Sequence, residues 1–212
     1  HIVGVTHDEK GETQYERSAF LRNSRDFGVP QNRPRVYIVA FSRAYFGQHI
    51  SILPKEAPCK RSRTPVFENL KDVLDEKVDP RFFLSSGYLE TLEKHIVTQH
   101  DKGYGFGYCI VNAPEIKNPI ANTLLATGGS GRERNLIYDP INGASCAGTS
   151  VKGKYSPIND KYIRTMTPNE WGRLQGFIGY AFVDENGADQ FSFPEGIPNV
   201  QKFKQFGNSV TI

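Results

Sequence analysis

The chain has 212 residues, with 26 Lys and Arg against 23 Asp and Glu, and a formal charge of +3. Apolar residues make up 38% and aromatics 12%, enough for one ordinary domain, or one and a small second, while no apolar run approaches the roughly 20 residues of a membrane-spanning helix. Three cysteines (Cys59, Cys109 and Cys146) and five histidines are too few and too scattered for a disulfide framework or a metal site, so a cytoplasmic setting without metal is expected.

The chain starts at His1 and stops at Ile212 inside what reads as a structured segment, so both ends are expected to be cut from something longer. Between Ser18 and Phe41, two apolar stretches flank the turn Asp26-Phe27-Gly28-Val29-Pro30-Gln31-Asn32. The second, Val36-Tyr37-Ile38-Val39-Ala40-Phe41, is continuously apolar and predicts a strand buried on both faces. Just before it, Gln31, Arg33 and Arg35 alternate with Asn32 and Pro34, which puts all three on one side of an extended chain. Such a set suits an anion or a planar polar ligand; the structural alternative is that the arginines merely decorate the start of a strand.

Residues 49–63 read as a basic, proline-broken linker, after which a second domain can begin. The clearest helix runs from Leu84 to His100, with Ser85 or Ser86 as cap, Leu89, Leu92 and Ile96 on one face, and a supporting Glu90–Lys94 pair. Gly103 to Tyr108 then alternates glycine with aromatics, and Gly128-Gly129-Ser130-Gly131 follows Thr123-Leu124. Neither segment has the strand-to-helix setting of a nucleotide-binding loop. Glycines there let backbone approach a partner closely; a pair of β-turns is the other reading.

Thr167-Pro168-Asn169-Glu170 predicts a capping box with Pro in the first helical position. The helix should end at Gly176, carrying Arg173 and Gln175 and offering Trp171, Leu174 and Phe177 to the core, with Arg164 just ahead of it. Near the end, Gly207-Asn208-Ser209-Val210 places small hydrogen-bonding residues where a further helix would begin.

The order of these blocks is informative. Gln31-Asn32-Arg33-Pro34-Arg35 matches a QxRxR motif, residues 167–177 match TPxExxRLQGF, and residues 207–210 match GNSV. Together they resemble the C-terminal half of a DNA (cytosine-5) methyltransferase, with the GFGY and Thr-Leu elements most similar to Dcm- and EcoRII-type enzymes. The resemblance implies an α/β fold: the C-terminal part of a Rossmann-like S-adenosylmethionine-dependent methyltransferase, plus a smaller mixed α+β target-recognition domain. The implied division is 1–64 for the edge of the catalytic domain and a linker, 65–163 for target recognition, and 164–212 for the return to the catalytic domain.

In that family a cysteine thiolate attacks C6 of a cytosine flipped out of the duplex, because the reacting atoms are inaccessible within the stack, and C5 receives the methyl group of S-adenosylmethionine. By resemblance, Arg35 bonds the flipped cytosine, Arg33 organises the pocket or a nearby phosphate, and Gln31 helps to hold the turn; these three are the catalytic-wall residues. Asn208 and Ser209 help to close the cofactor pocket. Thr123 contacts a DNA phosphate. Tyr104 and Phe106 in one loop, with Thr127, Gly128, Gly129, Arg132 and Arg134 in another, face double-stranded DNA in its major groove.

The family's cofactor-binding FxGxG, its catalytic Pro-Cys-Gln and its Glu-Asn-Val lie upstream of QxRxR, and none stands in that position here. Pro58-Cys59-Lys60 and Glu68-Asn69-Leu70 occur downstream instead; Cys59 lacks the following Gln and reads as linker. The fragment alone is therefore expected to be inactive, its partner being an N-terminal catalytic half in the same chain or in a second subunit. The alternative is a non-catalytic DNA-recognition subunit of a split methyltransferase. An RNA methyltransferase fits less well, because the region between the motifs is long and suited to a duplex groove.

Overall fold

The computed structural model describes residues 1–54, 56–58, 66–103, 109–127 and 135–212. Strands β1 (Val5–His7) and β2 (Thr13–Tyr15) form an antiparallel hairpin. Strand β3 (Leu21–Asn23) leads into a 3-10 turn at Ser24–Phe27, whose closing residue Gly28 sits at φ 88°. Strands β4 (Gln31–Asn32) and β5 (Pro34–Val36) follow, β5 pairing antiparallel with β3. A short helix α1 (Arg43–Phe46) comes next. Helix α2 (Ser86–Asp101) is the longest described, with Leu89 and Leu92 buried. Strand β6 (Ala121–Asn122) pairs parallel with β4. Strand β7 (Leu136–Tyr138), helix α3 (Pro140–Gly143), strand β8 (Ile163–Thr165, antiparallel to β7), helix α4 (Pro168–Leu174) and helix α5 (Asn199–Asn208) complete the order.

The core draws on widely separated segments. Val29, Leu70, Val73, Ala121, Leu124, Ile137, Met166, Trp171, Leu174, Phe203 and Phe206 form one cluster, in which Trp171 and Phe203 meet edge-on at 4.8 Å between ring centroids. Residues from each of the three expected spans therefore share one apolar interior. Smaller clusters join Leu84, Leu89 and Leu92 to Leu136 and Ile163, and Phe83 to Cys146 and Ile158.

Helix α4 forms as its sequence dictates. Thr167 Oγ1 accepts the Glu170 amide at 3.2 Å, and Glu170 Oε2 accepts the Thr167 amide at 2.8 Å. Gly176, at φ 77°, follows the C-cap Gln175, a left-handed position that glycine occupies without strain.

Three expectations are corrected. The run from Val36 is not a strand buried on both faces: β5 ends at Val36, and Val36 and Ile38 are 66% and 68% exposed. A doubly buried strand needs a layer on each face, and among the described residues β3 and the 2–3 segment cover only its edge, through Tyr37 N to Phe20 O and Val3 N to Val39 O. Gly207 to Val210 does not begin a helix. It ends one, because Phe203 and Phe206, three apart, bury one face of α5. Finally, Glu90 and Lys94 form no ion pair among the described residues; Glu93 instead reaches Lys161 at 2.8 Å, tying α2 to the segment before β8.

Candidate functional site

The inward-facing alternation expected for Gln31, Arg33 and Arg35 is present. Gln31 and Arg33 are buried and Arg35 half-buried, while Asn32, Pro34 and Val36 between and after them are exposed. Two side chains fix this geometry. Asn23 Oδ1 accepts the Arg33 amide at 2.9 Å, and its Nδ2 donates to Asn32 Oδ1 at 2.6 Å. Ser24 Oγ donates to the Gln31 carbonyl at 2.7 Å.

Arg33 is the meeting point. Its guanidinium donates to the carbonyls of Leu124 at 2.7 Å, Gly207 at 3.2 Å and Ser209 at 2.6 Å. One side chain thus joins the QxRxR strand, the Thr123-Leu124 segment and the GNSV segment. Burial, with Arg35 close by, pulls its pKa down to about 10, and it remains a cation at neutral pH. Thr123 Oγ1 adds a bond to the Asn32 carbonyl at 2.8 Å.

The TPxExxRLQGF helix attaches to the same point through carboxamides. Gln31 Nε2 donates to the Leu174 carbonyl at 3.3 Å, and Gln175 Nε2 donates to the Phe206 carbonyl at 3.1 Å. Thr211 donates to Gln175 Oε1, and the Ile212 amide to the Gln175 carbonyl. Gln175 is fully buried; a neutral residue with both donor and acceptor suits such a place. Its role and that of Asn23 are legible in sequence only as a carboxamide ahead of a helix-ending glycine and an Asn ahead of a turn-forming Ser. Thr211 and Ile212 also line an apolar cleft of about 280 Å³, together with Ser24, Phe27, Val29 and Tyr37.

The remaining candidate residues divide clearly. Among the described residues Arg35 donates only to its neighbour's carbonyl, Pro34 O, at 2.7 Å, which leaves most of its fork unused there. Ser209 is half-buried, its hydroxyl given to the Phe206 carbonyl, while Asn208 is exposed at the end of α5. Thr127 is exposed on a turn. Tyr104, Phe106, Gly128, Gly129, Arg132 and Arg134 lie outside the described residues, as does Cys59. Asn69 caps the turn Leu70–Val73, whose Leu70 and Val73 are fully buried, so Glu68-Asn69-Leu70 is structural. Among the described residues no cluster of His, Cys, Asp and Glu could hold a metal, and no helix is long and apolar enough to cross a membrane.

Gly207 marks how tightly the segments close. A Cβ built there would lie 2.5 Å from the Leu125 carbonyl group and the Ala126 nitrogen, all backbone. Gly207→Ala is expected to cost about 2–3 kcal/mol through overpacking, measured as a lower urea midpoint; an unchanged midpoint would show that α5 can move away from Leu125.

Comparison with known proteins identifies the family. The C-5 cytosine-specific DNA methylase family matches residues 4–212. The chain is 37% identical to the type II methyltransferase M.HpaII of Haemophilus parainfluenzae, covering 100% of this chain and 55% of that protein. It is 31% identical to M.SsoII of Shigella sonnei over 100% of this chain and 44% of the relative, and 28% identical to the DNA-cytosine methyltransferase of Escherichia coli K12 over 87% and 36%. The chain thus spans about half or less of these relatives' length. A mutant of Spodoptera frugiperda DNMT2 superposes with a TM-score of 0.51 at 17% identity, covering 91% of this chain and 53% of that one, a likeness of fold. The match along nearly the whole chain, and the identity to M.HpaII, place it in the C-5 cytosine-specific DNA methylase family.

Proposed function

We propose that the chain is the substrate-facing half of a DNA (cytosine-5) methyltransferase, which transfers a methyl group from S-adenosylmethionine to C5 of a cytosine flipped from double-stranded DNA. The observation that carries this reading is the Arg33 junction, which holds the QxRxR, Thr-Leu and GNSV segments against one another. Within it, Gln31 and Arg33 are positioning residues: the Gln31 side-chain amide and both terminal nitrogens of Arg33 bond backbone carbonyls. Arg35, with most of its fork unused among the described residues, is the group available to a planar polar base. The methyl group comes from S-adenosylmethionine, and the residues present fit a place beside it: the exposed carboxamide of Asn208 can hold a polar group, while Ser209, its hydroxyl and carbonyl both engaged, sets the backbone there. The type II relatives support a restriction–modification setting.

The division into an edge of the catalytic domain (1–64), a recognition domain (65–163) and a returning segment (164–212) belongs to the same proposal. So do DNA contacts from Thr123, from Thr127 and the loop after it to Arg134, and from the loop holding Tyr104 and Phe106. Exposure of Val36, Tyr37, Ile38 and Val39 favours an N-terminal catalytic half as the layer that covers them, whether in one polypeptide or, as a second reading, in a separate subunit that supplies cofactor and nucleophile.

The test is Arg35→Ala in the complete protein. Methyl transfer is expected to fall at least a hundredfold, on the scale of losing a group that stabilises the reacting base, with DNA affinity reduced far less, because the phosphate contacts that dominate affinity are untouched. Equal losses in both would remove Arg35 from the flipped base.

A further inference from the structure

A second cleft, of about 300 Å³, opens at the N-terminal end of α2 and shares no lining residue with the Arg33 junction; Leu84, Ser85, Tyr88, Lys154, Tyr155 and Thr165 are among the residues that line it. It is a built feature. The loop 151–157 is laid on the start of the helix by bonds from the Ser86 amide to the Pro157 carbonyl at 2.8 Å and from the Gly87 amide to Ser156 Oγ at 2.9 Å. Gly87 permits that approach, since a Cβ there would meet Ser156 Oγ at 3.1 Å.

The polarity of the cleft has one sign. Lys154 is partly buried, its ammonium desolvated, and no carboxylate pairs with it among the described residues. Helix α2 carries no acidic residue in its first turn, and its N-terminal end adds partial positive charge. Ser85, the N-cap, is only 9% exposed, and its hydroxyl makes no capping bond; it lines the cleft with donor capacity to spare. Tyr155 stands wholly exposed at the mouth. A half-buried cation without a counter-ion, beside a buried hydroxyl and a positive helix end, is a receptor for an anion that arrives from solvent.

We infer that this cleft takes one phosphodiester group of the DNA backbone, held by Lys154 and Ser85, as a contact that orients the duplex without reading its sequence. The inference rests on the DNA-methyltransferase reading for the source of the phosphate. It adds an anchor distinct from the residues that the family motifs mark.

The experiment measures affinity of the complete protein for a cognate and a scrambled duplex between 50 and 200 mM salt, for wild type, Lys154→Ala and Lys154→Arg. Losing one phosphate contact lowers the log–log salt slope by about 0.9, so this fourfold rise in salt should weaken Lys154→Ala about 3.5 times less than wild type. The effect should be the same on both duplexes, with Lys154→Arg near wild type. Ser85→Ala should weaken binding to both duplexes equally and leave the slope unchanged, the lost donor being neutral. Replacing chloride by inorganic phosphate at constant ionic strength should compete more strongly with wild type than with Lys154→Ala if free phosphate also enters. An unchanged slope in Lys154→Ala, with wild-type DNA binding and a wild-type melting curve, overturns the cleft assignment and leaves the methyltransferase reading standing. Absence of DNA binding by the wild type would overturn both.

Discussion

Arg164→Met, made in the complete protein, is expected to lower the free energy of unfolding by about 3–5 kcal/mol, the usual consequence of stripping one partner from a buried ion network. Arg164 is wholly buried on β8. Its Nε donates to Asp139 at 2.7 Å, and its two terminal nitrogens reach the two oxygens of Glu170 at 2.9 and 2.8 Å. The carboxylates have their own tasks: Asp139 caps α3 through the Asn142 amide, and Glu170 accepts the amides of Thr167 and Asp75. Removing Arg164 leaves two negative groups in the interior that cannot leave without uncapping two helices. Glu170→Gln, which keeps the shape and leaves Asp139 on the arginine, should cost less, about 1–3 kcal/mol. Urea midpoints for the two variants check the order.

The same network sets a pH dependence. Burial pushes the Asp139 carboxyl up, but the Asn142 amide and side chain together with the Arg164 guanidinium outweigh it and hold the group below its ordinary value. A carboxylate whose folded pKa is depressed contributes stability that is full above its unfolded value, about 3.9, and is lost as pH falls through the folded one. Wild type should therefore lose stability as pH drops below about 4, and Arg164→Met should lose less over that range, having already lost one cause of the shift. Parallel acid limbs for the two proteins would assign the acid sensitivity to other carboxylates.

Arg33→Met is the second large effect. Three carbonyls, those of Leu124, Gly207 and Ser209, lose their donor at once, and buried acceptors left unsatisfied cost roughly 1–3 kcal/mol each; a net loss of about 3 kcal/mol or more is expected. The effect should be local as well as global. Ser209 and Ile212, whose amides bond to Gln205, Phe206 and Gln175, should exchange their hydrogens at least tenfold faster, because the GNSV segment opens without global unfolding. Arg33→Lys should recover only part of the loss, since one ammonium cannot span three carbonyls on two segments. Unchanged exchange at Ser209 and Ile212 would show that α5 packing alone holds the segment.

Local signals in the sequence were reliable where the physics is local. Thr167, Pro168, Glu170 and Gly176 specify both ends of α4 within ten residues, and the structure follows them. The spacing of Leu89 and Leu92 likewise placed the buried face of α2. The alternation of Gln31, Arg33 and Arg35 showed that they share one side, but neither it nor the motif resemblance pointed to the Leu124, Gly207 and Ser209 carbonyls that Arg33 binds. What stayed illegible depends on partners far along the chain. Arg164 preceding α4 gives no hint of Asp139, 25 residues back, and Asp75 meets Thr167 and Arg173 across more than ninety residues. Val36 to Phe41 misled because an apolar run records what a segment needs covered, not whether the covering layer belongs to the same stretch of chain.

The three bonds of Arg33 also impose a schedule. Its partners follow it by 91, 174 and 176 residues, so the last of them is synthesised about 9–35 seconds after the arginine at ordinary elongation rates. For the later half of that interval the guanidinium can meet the Leu124 carbonyl but not those of Gly207 and Ser209, and the pocket wall it organises cannot close. Contacts of such sequence separation close late and slowly. The full set of Arg33 bonds thus records that the chain has been made through Ser209: a ribosome that stalls earlier leaves the QxRxR and Thr-Leu segments joined through β4 and β6 but without the GNSV segment that Arg33 clasps.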